Sequence, residues 1–431
     1  MEQTDMTSEV AVLTKQAVAL AADSAVTSGG KIFNTVNKVF ALSRCQPVGI
    51  MAYGSADVMG VPVETVIKEF RRQQGHESFE HLEGYATRFE EFLAEDSSLF
   101  TAEARRGRLC ALTETFMDEF QDRAAQKVQQ RIRGGQKPNR TTARAALSDA
   151  IAEFTERTRS AKRIPIPNAT SVRAAVAAEV TKTVDIQIAG LEQLWPFVPL
   201  TMQQRIRRLA LDQLLREVDF GGQTGFAIAG FGTTDVFPRL RAFEFYCSAL
   251  SLHKVTKPYS EMDITDQVTS RVVAFAQGDV VTTFMEGIDP RYKPFLENFP
   301  ATFFDQQEAS LLGGANPKPQ EAAAVKSAGL EFQKALRKEL QDFAEQRFVQ
   351  PTMEVVAVMP KEELAVLAEA LVNLTGLKRK ASNYRETVGG PTDVAVISKG
   401  DGFVWVKRKH YFDPRLNPDF MARYFQEQDN E

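Results

Sequence analysis

The stretch from Thr7 to Asp57 constrains this chain most, because it sets four short apolar runs between turn signals. Glu9–Leu13 carries two valines, Ala17–Ala22 is small and apolar, Lys38–Leu42 is short and mixed, and Val48–Ala52 is apolar again. Runs of this length, separated by Thr-Lys-Gln, Ser-Gly-Gly and Cys-Gln-Pro, predict four strands. Polar residues fall where those strands begin or end: Thr7, Asp23, Lys38 and the Tyr53-Gly54-Ser55 corner. Strand ends on one rim of a sheet bring together groups that lie far apart in sequence.

The spacing of these residues is specific. Asp23-Ser24 lies sixteen positions after Thr7, Thr27 follows closely, Lys38-Val39 opens a strand, and Ala52-Tyr53-Gly54-Ser55-Ala56-Asp57 forms a corner before a helix. In that order and register the residues resemble the first third of a proteasome β subunit, and equally of the peptidase of the bacterial two-component ATP-dependent protease. Tyr53 stands where that family has a Gly, and the loop before Lys38 is about one residue shorter. The resemblance implies an α+β fold, a four-layer αββα sandwich of two stacked antiparallel sheets between helical layers. It implies Thr7 as an N-terminal nucleophile whose own α-amine accepts the hydroxyl proton, directly or through water. Lys38 would be the electrostatic partner, Asp23 its orienter, and the Tyr53-Gly54 backbone the oxyanion site. A main-chain donor survives the change from Gly to Tyr, although the ring is able to crowd a substrate channel. Lys31 is a competing lysine in a Gly-rich turn, and an Asp at position 23 also suits a plain turn cap. Thr7 acts only with a free amine, so the mature chain is expected to begin there, the preceding residues being a start-site artefact or a removed leader.

Downstream, Val63, Val66, Ile67 and Phe70 predict a helix ended by Gly75, starting near Ser55 or at Pro62. His81–Glu95 predicts a second. The segment 96–220 reads almost entirely as helix: Ala102–Ile132, Thr141–Ala161, Asn168–Leu194 and Thr201–Val218, separated by Gly- and Pro-containing loops. It is expected to be a helical insertion between the first part of the proteasome-like domain, 7–95, and the second, 221–412, with 413–431 a C-terminal tail. Phe226–Gly230 and Arg239–Tyr246 predict a hairpin, and Arg271–Asp279 a strand leading to a helix over Val280–Glu286. Gln277 falls where the family carries a Ser beside the nucleophile. Glu321–Phe348 and Lys361–Leu377 read as helices. Met353–Met359 suits a strand or the approach to the second of these helices. Val388–Ile397 and Phe403–Lys407 resemble the family's closing hairpin, with Val388 at its Ser and Arg385 or Glu386 near its Asp.

Composition narrows the classes. Of 431 residues, 43% are hydrophobic and 25% charged, and the net charge of −4 favours no charged partner. The basic run Arg123, Lys127, Arg131, Arg133, Lys137, Arg140 and Arg144 contains no acidic residue, but no aromatic interleaves it. It reads as a solvated helix end rather than a nucleic-acid contact. Three scattered cysteines and four histidines without HExxH argue against a disulfide scaffold and a zinc site. No cofactor is expected, and no Walker, Rossmann or GxSxG motif occurs. No long apolar segment and no basic signal-like start is present, so a cytoplasmic protein is expected. The functional expectation is a threonine-type peptidase acting on peptide or protein as a ring-like homo-oligomer, with any companion ATPase left open. A catalytically inactive scaffold subunit and a small-molecule amidase are the alternatives.

Overall fold

The computed structural model describes residues 8–28, 31–95, 98–166, 169–194, 198–219, 221–257, 262–311, 319–382, 389–419 and 421–422. In chain order the strands and helices begin with β1 (Glu9–Thr14), β2 (Ala17–Ala22), a small pair β3 (Val26–Ser28) and β4 (Lys31–Phe33), β5 (Val39–Ala41), β6 (Val48–Gly54), and a second small pair β7 (Asp57–Val58) and β8 (Val61–Pro62). Six helices follow: α1 (Val63–Gln74), α2 (Leu82–Glu95), α3 (Ala102–Arg133), α4 (Arg140–Ser160), α5 (Ala169–Leu194) and α6 (Leu200–Leu214). Then come β9 (Thr224–Gly230), β10 (Arg239–Ala249), β11 (Leu252–Thr256), β12 (Ser270–Ala274), α7 (Asp279–Glu286), α8 (Tyr292–Leu311), α9 (Pro319–Ala344), α10 (Gln350–Ala357), α11 (Lys361–Lys380), β13 (Asp393–Ser398) and β14 (Gly402–Lys407). The fold is mixed helix and antiparallel sheet, and its chain divides into two compact units.

One unit comprises Met6–Val39, Val236–Arg239 and Asp263–Glu431. Its five-stranded sheet runs β12-β1-β2-β13-β14, antiparallel at every pairing. Alternation puts Val10, Val12, Ala17, Ala19, Ala21, Val394 and Val396 on one face, in a core with Leu364, Ala368, Leu371 and Val372 of α11. The small alanines of β2 let the helix approach closely. Every residue of β1 and β2 is buried, including those on the opposite face. Lys378 and Arg379 at the C-terminal end of α11 pair with Asp279 at the start of α7, where cation and carboxylate each meet a favourable helix end.

The other unit comprises Met1–Asp5, Phe40–Asp235 and Leu240–Met262, with the sheet β11-β10-β9-β6-β5. As the spacing predicts, α1 buries Val63, Val66, Ile67 and Phe70; it starts directly after Pro62 and ends at Gly75, whose φ is +56°. Phe70, Phe89 and Phe226 stack edge to face at about 5 Å and join α1 and α2 to the sheet. The four helices α3 to α6 share a second core with Tyr246, Cys247 and Leu252 of β10 and β11. Thr101 and Asn139 cap α3 and α4 through their side chains. In the basic run, Arg123 and Lys127 pair with Glu153 and Arg131 with Asp149, so its first half serves the α3–α4 contact.

Some elements depart from the sequence reading. Of the two readings of Met353–Met359, the structure has the approach to α11: the run falls mostly in helix α10 and not in a strand. The unpredicted α8 contains Pro300 inside it, and Pro294 in its first turn, where a missing N–H costs nothing. No helix among the described residues is long and apolar enough to cross a membrane.

A buried lysine and a half-buried histidine mark β11. The ammonium of Lys254 donates to the carbonyls of Arg216 (2.6 Å) and Val218 (3.2 Å) just beyond α6, where a cation meets the negative helix end. Beside it, both ring nitrogens of His253 are buried and without a partner among the described residues. Burial, aided by Arg105 and Lys257, pushes its pKa down to about 4. The folded state therefore binds fewer protons than the unfolded one between the usual imidazole value and about 4. Stability is present above that window and falls as pH drops through it, by up to about 3 kcal/mol. In urea denaturation, His253→Leu is expected to flatten this acid-side slope between pH 6.5 and 4.

Candidate active site

The register of β1 against β2 builds the site. Glu9 pairs with Ala22, so the next residues outward, Ser8 and Asp23, face each other at one rim of the sheet. They close the ladder: the Asp23 amide donates to the Ser8 carbonyl at 3.1 Å. The Ser8 amide donates to Asp23 Oδ1 at 3.2 Å. Two carboxylates, Glu9 and Asp23, thus converge where side chains are buried, at 1% and 2% exposure.

Lys38, just before β5, supplies the cation that makes this convergence tolerable. Its ammonium lies 2.5 Å from Asp23 Oδ1 and 3.0 Å from Glu9 Oε1, and the residue is 4% exposed. Burial alone would depress its pKa; the Glu9 and Asp23 charges outweigh that and hold it above the ordinary lysine value. Lys38 is consequently a fixed cation at neutral pH and no proton acceptor. The Val36 amide donates to the Ser24 carbonyl and pins the segment that carries it.

The second strut is the loop before β13. The Gly389 amide donates to Asp23 Oδ2 at 2.9 Å, and the Ser24 hydroxyl donates to the Pro391 carbonyl at 2.5 Å. Gly390 has φ +78°, and a Cβ there would meet the Asn34 carbonyl oxygen at 2.6 Å. Gly390 is thus required by a left-handed turn and by close approach to the Lys38 segment. Asp23 ties three separate parts of the chain together: the Ser8 amide, the Gly389 amide and the Lys38 ammonium.

Of the residues singled out in the sequence, Asp23 and Lys38 are in direct contact. Thr7 lies outside the described residues, as do Arg385, Glu386 and Val388. Tyr53 and Gly54 end β6 in the other unit. There Tyr53 is 5% exposed and pairs across the sheet with Gly225, where a Cβ would run into the tyrosine ring at 2.0 Å. Gly225 is the space that admits a tyrosine in place of the family's glycine. Gln277 follows β12 at the rim where the Phe275 amide donates to the Glu9 carbonyl. Its φ is +21°, rare for a non-glycine residue, and its buried Oε1 has no hydrogen-bond partner among the described residues. Glu9 was missed by the sequence reading. Its signal was a charge opening a strand whose other positions are apolar.

No family model matches this chain, and no curated protein does. Solved structures do. Anbu (ancestral beta-subunit) from Yersinia bercovieri is 10% identical, with 97% of this chain and 95% of that chain covered, at a TM-score of 0.26. Anbu from Hyphomicrobium sp. strain MC1 is 10% identical, with 97% of each chain covered, at 0.26. The helical assembly of the Anbu complex from Pseudomonas aeruginosa is 9% identical, with 98% and 96% covered, at 0.27. These overlays are loose and transfer no residue roles.

The trio itself makes a direct prediction. Lys38→Met leaves two buried carboxylates facing each other and is expected to cost about 3–5 kcal/mol at pH 7 by urea denaturation. Because the folded-state pKa of Lys38 is raised, its contribution is fully present below the ordinary lysine value. It is lost only as pH rises beyond that, so the penalty shrinks at strongly alkaline pH. The solved structures to which this chain is similar include these Anbu (ancestral beta-subunit) chains.

Proposed function

We propose that this chain is a proteasome-like N-terminal-threonine hydrolase, a peptidase working as a homo-oligomer. The observation that carries the reading is the Ser8 amide on Asp23 Oδ1, the same oxygen that contacts Lys38. That amide nitrogen is bonded to the carbonyl carbon of Thr7. The residue that follows Thr7 in the chain therefore contacts the carboxylate that holds the buried ammonium.

In this reading the Thr7 hydroxyl attacks a substrate carbonyl. Lys38 stays protonated and favours the developing alkoxide electrostatically. It accepts no proton, because Glu9 and Asp23 hold its pKa high. The base is then the freed α-amine of Thr7. Asp23 and Glu9 position Lys38. Gln277 offers an unused carbonyl oxygen to the amine in place of the family's serine. The four-layer αββα sandwich, with 96–220 as a helical insertion between 7–95 and 221–412, belongs to the same proposal. Burial on both faces of β1 and β2 supports it. Assembly is supported by Phe295, Phe299 and Phe303, spaced four apart on α8 and 64%, 54% and 44% exposed.

One observation favours the rival, an inactive scaffold subunit: the strained Gln277 replaces the serine that supports the nucleophile in the family. Covalent labelling by a peptide epoxyketone, read by peptide mass spectrometry, separates the two. Modification of Thr7 that disappears in Thr7→Ala and falls at least tenfold in Lys38→Met is expected; an unlabelled Thr7 in the processed chain leaves the scaffold reading.

A further inference from the structure

Outside the candidate active site, a cysteine thiol and a histidine ring stand in contact. Cys45 Sγ lies 3.0 Å from His76 Nδ1, and both residues are exposed. The two come from separate turns, each held by its own hydrogen bonds. Ser43 Oγ accepts the amides of Cys45 (3.3 Å) and Gln46 (3.2 Å), which fixes the turn between β5 and β6. His76 follows Gly75, which ends α1, and Gln74 Nε2 donates to the Glu77 carbonyl at 3.2 Å, closing the loop around it.

The surroundings suit nucleophilic chemistry rather than metal binding. Among the described residues no group of three or more His, Cys, Asp or Glu is placed to hold a metal ion. Arg44 adjoins the thiol in sequence, and Glu77 adjoins the histidine. The other two cysteines lack this arrangement: Cys247 is fully buried in the helical core, and Cys110 is half-buried on α3.

We propose that Cys45 and His76 form a reactive-thiol site that is modified by low-molecular-mass disulfides. His76 Nδ1 accepts the thiol proton, and the Cys45 thiolate attacks one sulfur of the disulfide. A new S–S bond forms, the old one breaks, and the departing thiolate takes its proton from His76 or from water. Cys45 ends oxidised in a mixed disulfide, and half of the small disulfide is reduced to a thiol. The site is independent of Thr7 and its chemistry.

The test is the reaction of the full, folded chain with 5,5′-dithiobis(2-nitrobenzoic acid) at pH 6.5, followed by release of the coloured thiolate. The fastest phase is expected to vanish in Cys45→Ala and to slow about tenfold in His76→Gln. Cys110→Ala is expected to leave it unchanged, and circular dichroism shows whether each variant folds. A fastest phase that survives Cys45→Ala, or a rate that folded His76→Gln does not alter, overturns the proposal.

Discussion

The structure depends on one buried ammonium between two buried carboxylates. Antiparallel pairing forces Glu9 and Asp23 to the same rim, because the start of β1 lies beside the end of β2. Two carboxylates so placed repel each other at low dielectric, and the arrangement persists only with a cation between them. Lys38 is that cation. The glycine pair at 389–390 and the segment from Asn34 to Lys38 are drawn to the same rim, so one electrostatic knot also sets the path of three chain segments.

The knot limits what chemistry is open to Lys38. A lysine that serves as a general base needs its pKa lowered by burial or by neighbouring cations. Lys38 has burial, but its two carboxylates reverse the effect. It is suited to stabilise negative charge and unsuited to remove a proton. Lys254 shows the contrast within the same chain: its ammonium donates to the carbonyls of Arg216 and Val218, and burial outweighs the charges of Asp219 and Glu217 and pushes its pKa down to about 8. Partner identity, not burial alone, separates the two lysines.

Much of this was legible in the sequence, for identifiable reasons. Asp23 and Lys38 stood out because strand ends punctuate apolar runs and because both fall in register with the proteasome β-subunit pattern that the sequence resembles. The helices α1 to α6 were legible from apolar periodicity and from Gly and Pro punctuation. Glu9 was not, because a single charge in a strand reads as an outward-facing residue until the register places Asp23 beside it. The helix α8 was hidden by Pro294 and Pro300, and α10 by the β-like run Met353–Met359, whose valines are equally at home on a helix packed against β12. The role of Gly225 was invisible, since only the cross-strand pairing shows that it makes room for Tyr53.

The most direct measurement is the intact mass and N-terminal sequence of the protein purified from its native cells. A chain that begins at Thr7 with a free amine is the expected result. A chain that retains Met6 or any earlier residue would contradict threonine catalysis, leaving the buried trio as a structural device alone.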